Sequence, residues 1–208
     1  MIIAVDGPLA SGKGTIAKAL AQHYGIAHLD TGSLYRATGV AVMDAGADPL
    51  DEDAAEAAAR SLDLDAIDET RIRTAEAGLI ASKVAAQPRV RQALLELQRA
   101  FASRPGGAVL DGRDIGTVIC PDAPVKIYVT ADAEIRARRR WKELEAKGQT
   151  ISFEDMLAQT LERDARDTQR ADSPMRPADD AVLLDTSSLS IDAAVAAAIE
   201  IVENRRPA

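Results

Sequence analysis

The sequence holds a single cysteine, Cys120, in 208 residues. No intramolecular disulfide can form, which suits a reducing compartment and leaves a buried, inert thiol as the ordinary role for that residue. Aromatic residues make up only 3% of the chain, too few for a platform on which the bases of a nucleic acid stack. No apolar run approaches the roughly 18 residues a spanning helix needs, and the alanine-rich stretch at 193–199 is far shorter. The opening Met1-Ile2-Ile3-Ala4-Val5-Asp6 lacks both a basic flank and a small-residue cleavage site, so the chain is expected to be cytoplasmic rather than secreted. Positive charge is short as well. With 25 Lys and Arg against 33 Asp and Glu the net charge is -8, so the surface as a whole repels nucleic acid and acidic membranes, and an anionic ligand must be captured locally.

What is present is a hydrophobic content of 47%, ordinary for a packed core, arranged as short apolar runs alternating with longer stretches of helical period. The runs at 2–5, 27–30, 108–111, 125–130 and 181–185 read as buried strands. Such alternation predicts an α/β fold with a parallel sheet, whose ligands gather at the carboxyl ends of the strands. Asp6-Gly7, Asp30-Thr31-Gly32 and Asp111-Gly112 all fall at that edge. Residues 48–71 are acidic and alanine-rich and read as an inserted, solvated helix and loop. A charged helix over about 132–147 stops near Gly148, and Ser152-Phe153-Glu154-Asp155 resembles a capping box opening the next one, so a projecting helical hairpin is expected.

Directly after the first strand comes Gly7-Pro8-Leu9-Ala10-Ser11-Gly12-Lys13-Gly14-Thr15, followed by the helical run Ile16-Ala17-Lys18-Ala19-Leu20-Ala21. This is a Walker A arrangement with one glycine between the lysine and the hydroxyl residue. Glycines let the loop turn its amides around a phosphate, the helix N-terminus adds positive potential, Lys13 follows the β and γ oxygens, and the Thr15 hydroxyl suits Mg²⁺. The alternative is a glycine-rich turn that binds nothing, against which stand the strand before it and the helix after it.

A second phosphate, on an acceptor, needs guanidinium groups at the same edge. Arg36 follows the second strand by little more than a helical turn, and Arg113 lies within Asp111-Gly112-Arg113-Asp114. Arg163, Asp167 and Arg170 are spaced i, i+4, i+7, with Arg166 at i+3, so a helix presents them on one face, with an exposed ion-pair ladder as the plainer alternative. Arg136, Arg138, Arg139 and Arg140 are similarly open between a solvated face and the charge a lid over a nucleotide needs. By itself Arg91 reads as a surface charge flanking the apolar stripe Val90, Leu94, Leu97 and Phe101, and Ser82 as an unremarkable helical serine. Asp111 reads either as a strand-end cap or as a Walker B-like acid.

Taken with Leu29-Asp30-Thr31-Gly32-Ser33-Leu34-Tyr35-Arg36-Ala37, Asp111-Gly112-Arg113-Asp114-Ile115-Gly116-Thr117-Val118, Pro121-Asp122-Ala123-Pro124-Val125-Lys126, Arg163-Asp164-Ala165-Arg166-Asp167-Thr168-Gln169-Arg170 and Leu184-Asp185-Thr186-Ser187, the loop resembles bacterial cytidylate kinases over nearly the whole chain. The resemblance implies a three-layer P-loop NTPase fold with a five-stranded parallel sheet. It implies one kinase domain, with a core of about 1–45, 88–135 and 160–208, a CMP-binding insertion of about 46–87 and a lid of about 136–159. It implies phosphoryl transfer from ATP with Mg²⁺ to CMP or dCMP, by a monomer. Gly7, Pro8, Leu9, Ala10, Ser11, Gly12, Lys13, Gly14 and Thr15 would bind the donor, and Thr15 the metal directly, with Asp111 reaching it through water. Thr31 and Arg36 would contact the acceptor, Arg113 and Arg163 clamp its phosphate, Asp167 with Arg170 meet the ribose, and Ser82, Arg91 and Asp114 read the base. Lys13, Arg36, Arg113 and Arg163 would carry the transition-state charge.

The chain departs from the family between Asp63 and Arg71, where it is shorter and lacks the length for a small β-hairpin, and at Thr31, where a serine is usual and the hydroxyl is kept. Other readings are a P-loop kinase for a different small acceptor, or a nucleotide-binding scaffold without catalysis. A guanine-reading Asn-Lys-x-Asp motif is absent, since the one asparagine is Asn204.

Overall fold

Five short runs rich in Ile, Val and Leu pair into one parallel sheet, as expected for strands buried on both faces. The structure, a computed structural model, describes residues 1–206, with Asp65 and Ala75 by their backbone alone. The strands are β1 (Ile2–Asp6), β2 (Ala27–Asp30), β3 (Ala108–Gly112), β4 (Val125–Thr130) and β5 (Val182–Asp185), in the order β2-β3-β1-β4-β5. Central β1 sets Val5 opposite Asp111 on one side and Ile127 on the other, and β4 continues to β5 with Thr130 opposite Asp185. Parallel pairing brings the carboxyl ends to one edge, so Asp6, Asp111, Thr130 and Asp185 finish near one another in the sheet. The fold is the α/β fold of P-loop NTPases.

Two compact units are present: residues 1–29 with 104 onward, and residues 30–103. In the first, helices α1 (Lys13–Tyr24) and, at the C-terminal end, Ile191–Arg205 lie on the sheet. Ile3, Val5, Ile16, Leu20, Val109, Ile127 and Val202 are closed off from solvent there, each contributing about 1.5–3 kcal/mol by leaving water.

The second unit is built of α2 (Thr31–Asp44), α3 (Glu52–Arg60), α4 (Glu69–Ile72), α5 (Ala75–Val84) and α6 (Pro88–Ala102). Asp51, Asp68 and Thr74 cap α3, α4 and α5 by accepting backbone N–H bonds, and Pro88 opens α6. Between Asp63 and Arg71, Leu64–Ala66 forms a single 3₁₀ turn, and Arg71 makes a forked pair with Asp44 at 2.8 and 2.6 Å. Helices α2 and α5 meet closely at Gly39, where a Cβ would stand 2.4 Å from Ile80 Cγ2. Because α2 packs on α5 and α6 on α3, the units divide at 29/30 and 103/104, outside the insertion bounds of 46 and 87 expected from sequence.

The helical hairpin is α7 (Ala133–Ala146) and α8 (Phe153–Gln169), the latter capped by Ser152, whose Oγ accepts from the Asp155 N–H at 3.0 Å. Trp141 closes the turn, its indole donating to the Ile151 carbonyl at 2.9 Å while its ring meets Phe153 edge-on. The C-terminal helix Ile191–Arg205 is α9. Among the described residues no helix is long and apolar enough to cross a membrane.

Candidate active site

The glycine-rich loop runs from the end of β1 into α1. Gly7 takes φ +147°, and a Cβ on it would meet the Val129 carbonyl oxygen at 2.0 Å, so no other residue fits there. Two loop carbonyls are held by side chains from other elements. Arg136 Nη1 donates to Leu9 O at 3.3 Å, and Thr186 Oγ1 to Ser11 O at 2.9 Å. In a planar trans peptide the N–H points opposite to the C=O, so the amides of Ala10 and Gly12 are aimed away from these donors. Lys13 stands in the first turn of α1. Beside the loop lies a cavity of about 590 Å³ whose lining includes Ser11, Gly12, Thr15, Arg139, Thr186 and Ile191.

Asp111, at the end of β3, is 2% exposed. Its Oδ1 lies 2.7 Å from His28 Nε2, and its Oδ2 would lie 3.8 Å from a Cβ on Gly14 of the loop. Thr15, one residue further on, offers a hydroxyl at the cavity. Among the described residues no cluster of three or more His, Cys, Asp or Glu side chains forms a cage for a metal. One hydroxyl and one carboxylate are hard oxygen donors of the kind Mg²⁺ accepts when it keeps most of its water and takes its other ligands from phosphates. The residues fit that ion.

Asp6 has a different task. Its two oxygens accept from the backbone N–H groups of Ile115 and Gly116, each at 2.8 Å, at the start of a π-helical turn, Ile115–Ile119. Burial pushes its carboxyl up to about 7 against the opposing pull of those two donors. Tyr128, in turn, is raised by burial and then by the charge of Asp6.

The expected acid and arginines of the first unit come together. Arg113 Nε donates to Asp167 Oδ2 at 2.8 Å, and Arg170 Nη2 lies 3.5 Å from Asp114 Oδ1. Burial works to raise Asp167, but the charges of Arg113 and Arg163, the Arg113 hydrogen bond and the charge of Arg170 outweigh it, and the carboxyl sits below its ordinary value. Two expectations need correcting. Helix α8 ends at Gln169, so Arg170 is not on its face; it turns back in extended conformation and donates to the Ser173 carbonyl at 2.6 Å. Arg166 leaves the group for an i,i+4 surface pair with Glu162.

The arginine run of α7 separates into four roles. Buried Arg136 donates to the carbonyls of Ala131 and Leu9 and makes a forked pair with Asp164 at 3.1 and 2.6 Å. Arg138 stacks on Phe153, Arg139 donates to Thr186, and Arg140 pairs with Glu143.

In the second unit, Thr31 is buried at the first position of α2, and Arg36 Nη1 lies 3.6 Å from Asp30 Oδ2. The reading of Arg91 as a surface charge is overturned, as it is 7% exposed, and Ser82 is buried within α5. Arg91 lies over the Tyr35 ring, 5.7 Å from its centroid, and donates to the Ala85 carbonyl at 3.3 Å. Of the apolar stripe on α6, Val90 and Leu94 are fully buried, Leu97 is half-buried, and the amide of Gln98 takes the next inward position. Sequence reasoning missed His28 as the partner of Asp111, the amide-binding task of Asp6, and the separation of Arg136 from its neighbours. Only the strand-end position of Asp6 carried any signal.

Comparison with known proteins gives a consistent result. The family model described as cytidylate kinase matches residues 3–204. A protein named cytidylate kinase from Caulobacter vibrioides is 58% identical over 205 residues, covering 99% of this chain and 96% of that one. Another of that name, from Azorhizobium caulinodans, is 58% identical over 207 residues, covering 99% and 100%. In fold, the crystal structure of an uncharacterized protein from Eubacterium ventriosum is similar with a TM-score of 0.59 over 99% of each chain, at 16% identity.

Proposed function

The chain belongs to the cytidylate kinase family, and from that premise we infer how its side chains divide the work of one reaction. It transfers the γ-phosphoryl group of ATP to CMP or dCMP, giving ADP and CDP or dCDP. The amides of Gly7 to Thr15 wrap the donor phosphates, and Lys13 follows the group in flight. Thr15 would hold Mg²⁺ directly and Asp111 through water, and the ion would supply neutralisation of the donor's phosphate charge.

The acceptor phosphate has a second pKa of about 6 and is mostly dianionic near neutrality, so no strong general base is required. Positioning is the harder task. Arg36, Arg113 and Arg163 hold the acceptor phosphate and spread the charge of a loose, in-line transition state, while water is kept out. Thr31 contacts the acceptor, and Asp167 and Arg170 meet its ribose. Ser82 and Asp114 accept from the cytosine amino group, and Arg91 satisfies its ring acceptors. The protein acts as a cytoplasmic monomer on free nucleotides.

The observation that carries this assignment is the span of Arg136. One guanidinium touches the phosphate loop at Leu9 and α8 at Asp164, the residue after Arg163, which supports a reading in which the loop and the start of the 163–167 segment serve one reaction. The test is ADP production across AMP, UMP, GMP, CMP and dCMP, with Lys13→Ala and Arg36→Ala beside the parent. CMP and dCMP should be preferred, and Lys13→Ala should lose two or more orders of magnitude in kcat, about 3 kcal/mol of transition-state stabilisation, without loss of fold. Equal turnover of all acceptors, or an unimpaired Lys13→Ala, refutes the assignment.

A further inference from the structure

Arg113 and Asp114 make up the whole link between the end of β3 at Gly112 and the π-helical turn that begins at Ile115. On the upstream side Gly112 is fixed in the sheet opposite Asp6. On the downstream side the same Asp6 takes hold with its side chain, Oδ1 accepting from Ile115 N–H and Oδ2 from Gly116 N–H. The peptide joining Asp114 to Ile115 is therefore gripped at both poles. Its N–H donates to Asp6, and its carbonyl oxygen accepts from Val118 at 2.9 Å and Ile119 at 3.2 Å. A planar unit held at donor and acceptor together cannot rotate, so the backbone on both flanks of the two-residue span is set.

Two parallel N–H donors call for a group that only accepts, and of the side chains of this size only a carboxylate does so with both oxygens. Keeping a charge at a site 4% exposed is unfavourable, and the bonds to Ile115 and Gly116 offset that cost only while both oxygens accept. Retaining a carboxylate here makes sense if the exact set of the span matters. Asp6 feels the charges of Asp114 and Arg113, and Tyr128 feels that of Asp6.

We propose that Asp6 is a positioning residue for the acceptor nucleotide, its carboxylate fixing Arg113 and Asp114 in the conformation that receives CMP. This rests on the acceptor roles assigned above to those two residues. Asp6 itself touches neither nucleotide; it acts through the peptide it holds.

The experiment compares KM for CMP with KM for ATP in the parent and in Asp6→Asn, which leaves one acceptor for two donors and sets an amide N–H against a peptide N–H. KM for CMP should rise roughly tenfold, the effect of one lost buried hydrogen bond, with KM for ATP within about twofold of the parent. Partial unfolding alone lowers apparent kcat and leaves both KM values unchanged. Should Asp6→Asn not fold, Gly116→Ala decides, because its Cβ would stand 3.4 Å from Asp6 Oδ2 and 3.1 Å from Lys126 Cδ, pressing on the clamp from the other side. The same selective rise is expected there. An unmoved KM for CMP in a folded variant, or an equal rise in both KM values, overturns the proposal. Arg113→Ala serves as the control: if it too leaves KM for CMP unmoved, the acceptor assignment has failed and the clamp falls with it.

Discussion

Replacing Asp167 by Asn keeps its shape and removes its charge from among three arginines. The carboxylate is held by Arg113 at 2.8 Å and by the charges of Arg163 and Arg170, with side-chain exposures of 11% for Asp167 and 15% for Arg113. Neutralising one member of a buried pair destabilises by about 3–5 kcal/mol, and the lower end applies because this pair retains some access to water. A chain of about 200 residues loses roughly 2–4 °C in melting temperature per kcal/mol, so Asp167→Asn should melt about 6–12 °C below the parent. The pH dependence has a definite sign. Since the folded carboxyl titrates below the ordinary aspartate value of about 3.9, its stabilisation is complete above that value and is lost as pH falls through the lower, folded one. The gap between parent and variant, measured by thermal unfolding followed by circular dichroism, should stay constant between about pH 5 and pH 8 and close below about pH 4. A gap under about 1 °C at neutral pH, or one that widens in acid, refutes the reasoning.

Two further substitutions test the loop and its surroundings. His28→Leu removes the 2.7 Å partner of Asp111, so the Mg²⁺ concentration needed for half-maximal ATP binding should rise roughly tenfold while CMP affinity is kept; a magnesium titration by calorimetry that does not shift speaks against any link between Asp111 and the ion. Gly7→Ala forces a Cβ to within 2.0 Å of the Val129 carbonyl, and should lower stability by about 1–3 kcal/mol and weaken ATP binding together, seen as a lower melting temperature that added ATP no longer raises.

The parts of the molecule that a linear reading recovers are those whose cause is local. The phosphate loop is contiguous, the strands are apolar runs of four to six residues, and Ser152 caps α8 three residues from its partner. The parts it missed are long-range. His28 and Asp111 are 83 residues apart, and nothing near either announces the other. Arg91 reads as a solvated charge because the ring it stacks on, Tyr35, lies on a different helix. Four arginines close together in α7 look alike until Leu9, Asp164, Phe153, Thr186 and Glu143 select among them. Helical spacing grouped Arg170 with Arg163 and Asp167, and its charge does reach Asp167, but from the residue after the helix end rather than from the helix face. Asp6 was legible in position only, because an acid at the end of a strand looks the same whether it faces a ligand or a pair of amides.

Arg136 sets where the α7–α8 arm is able to bend. Its guanidinium fastens the root of α7 to Ala131, to the loop at Leu9 and to α8 at Asp164, so displacing any one of these segments against the others breaks a hydrogen bond of Arg136. Flexure has to begin outward of it, past the second turn of α7, where Arg138 and Trp141 rest on Phe153 and the neighbouring ion pair of Arg140 with Glu143 lies nearer the surface. A bend placed there leaves the bonds of Arg136, and with them its hold on the phosphate loop at Leu9, in place.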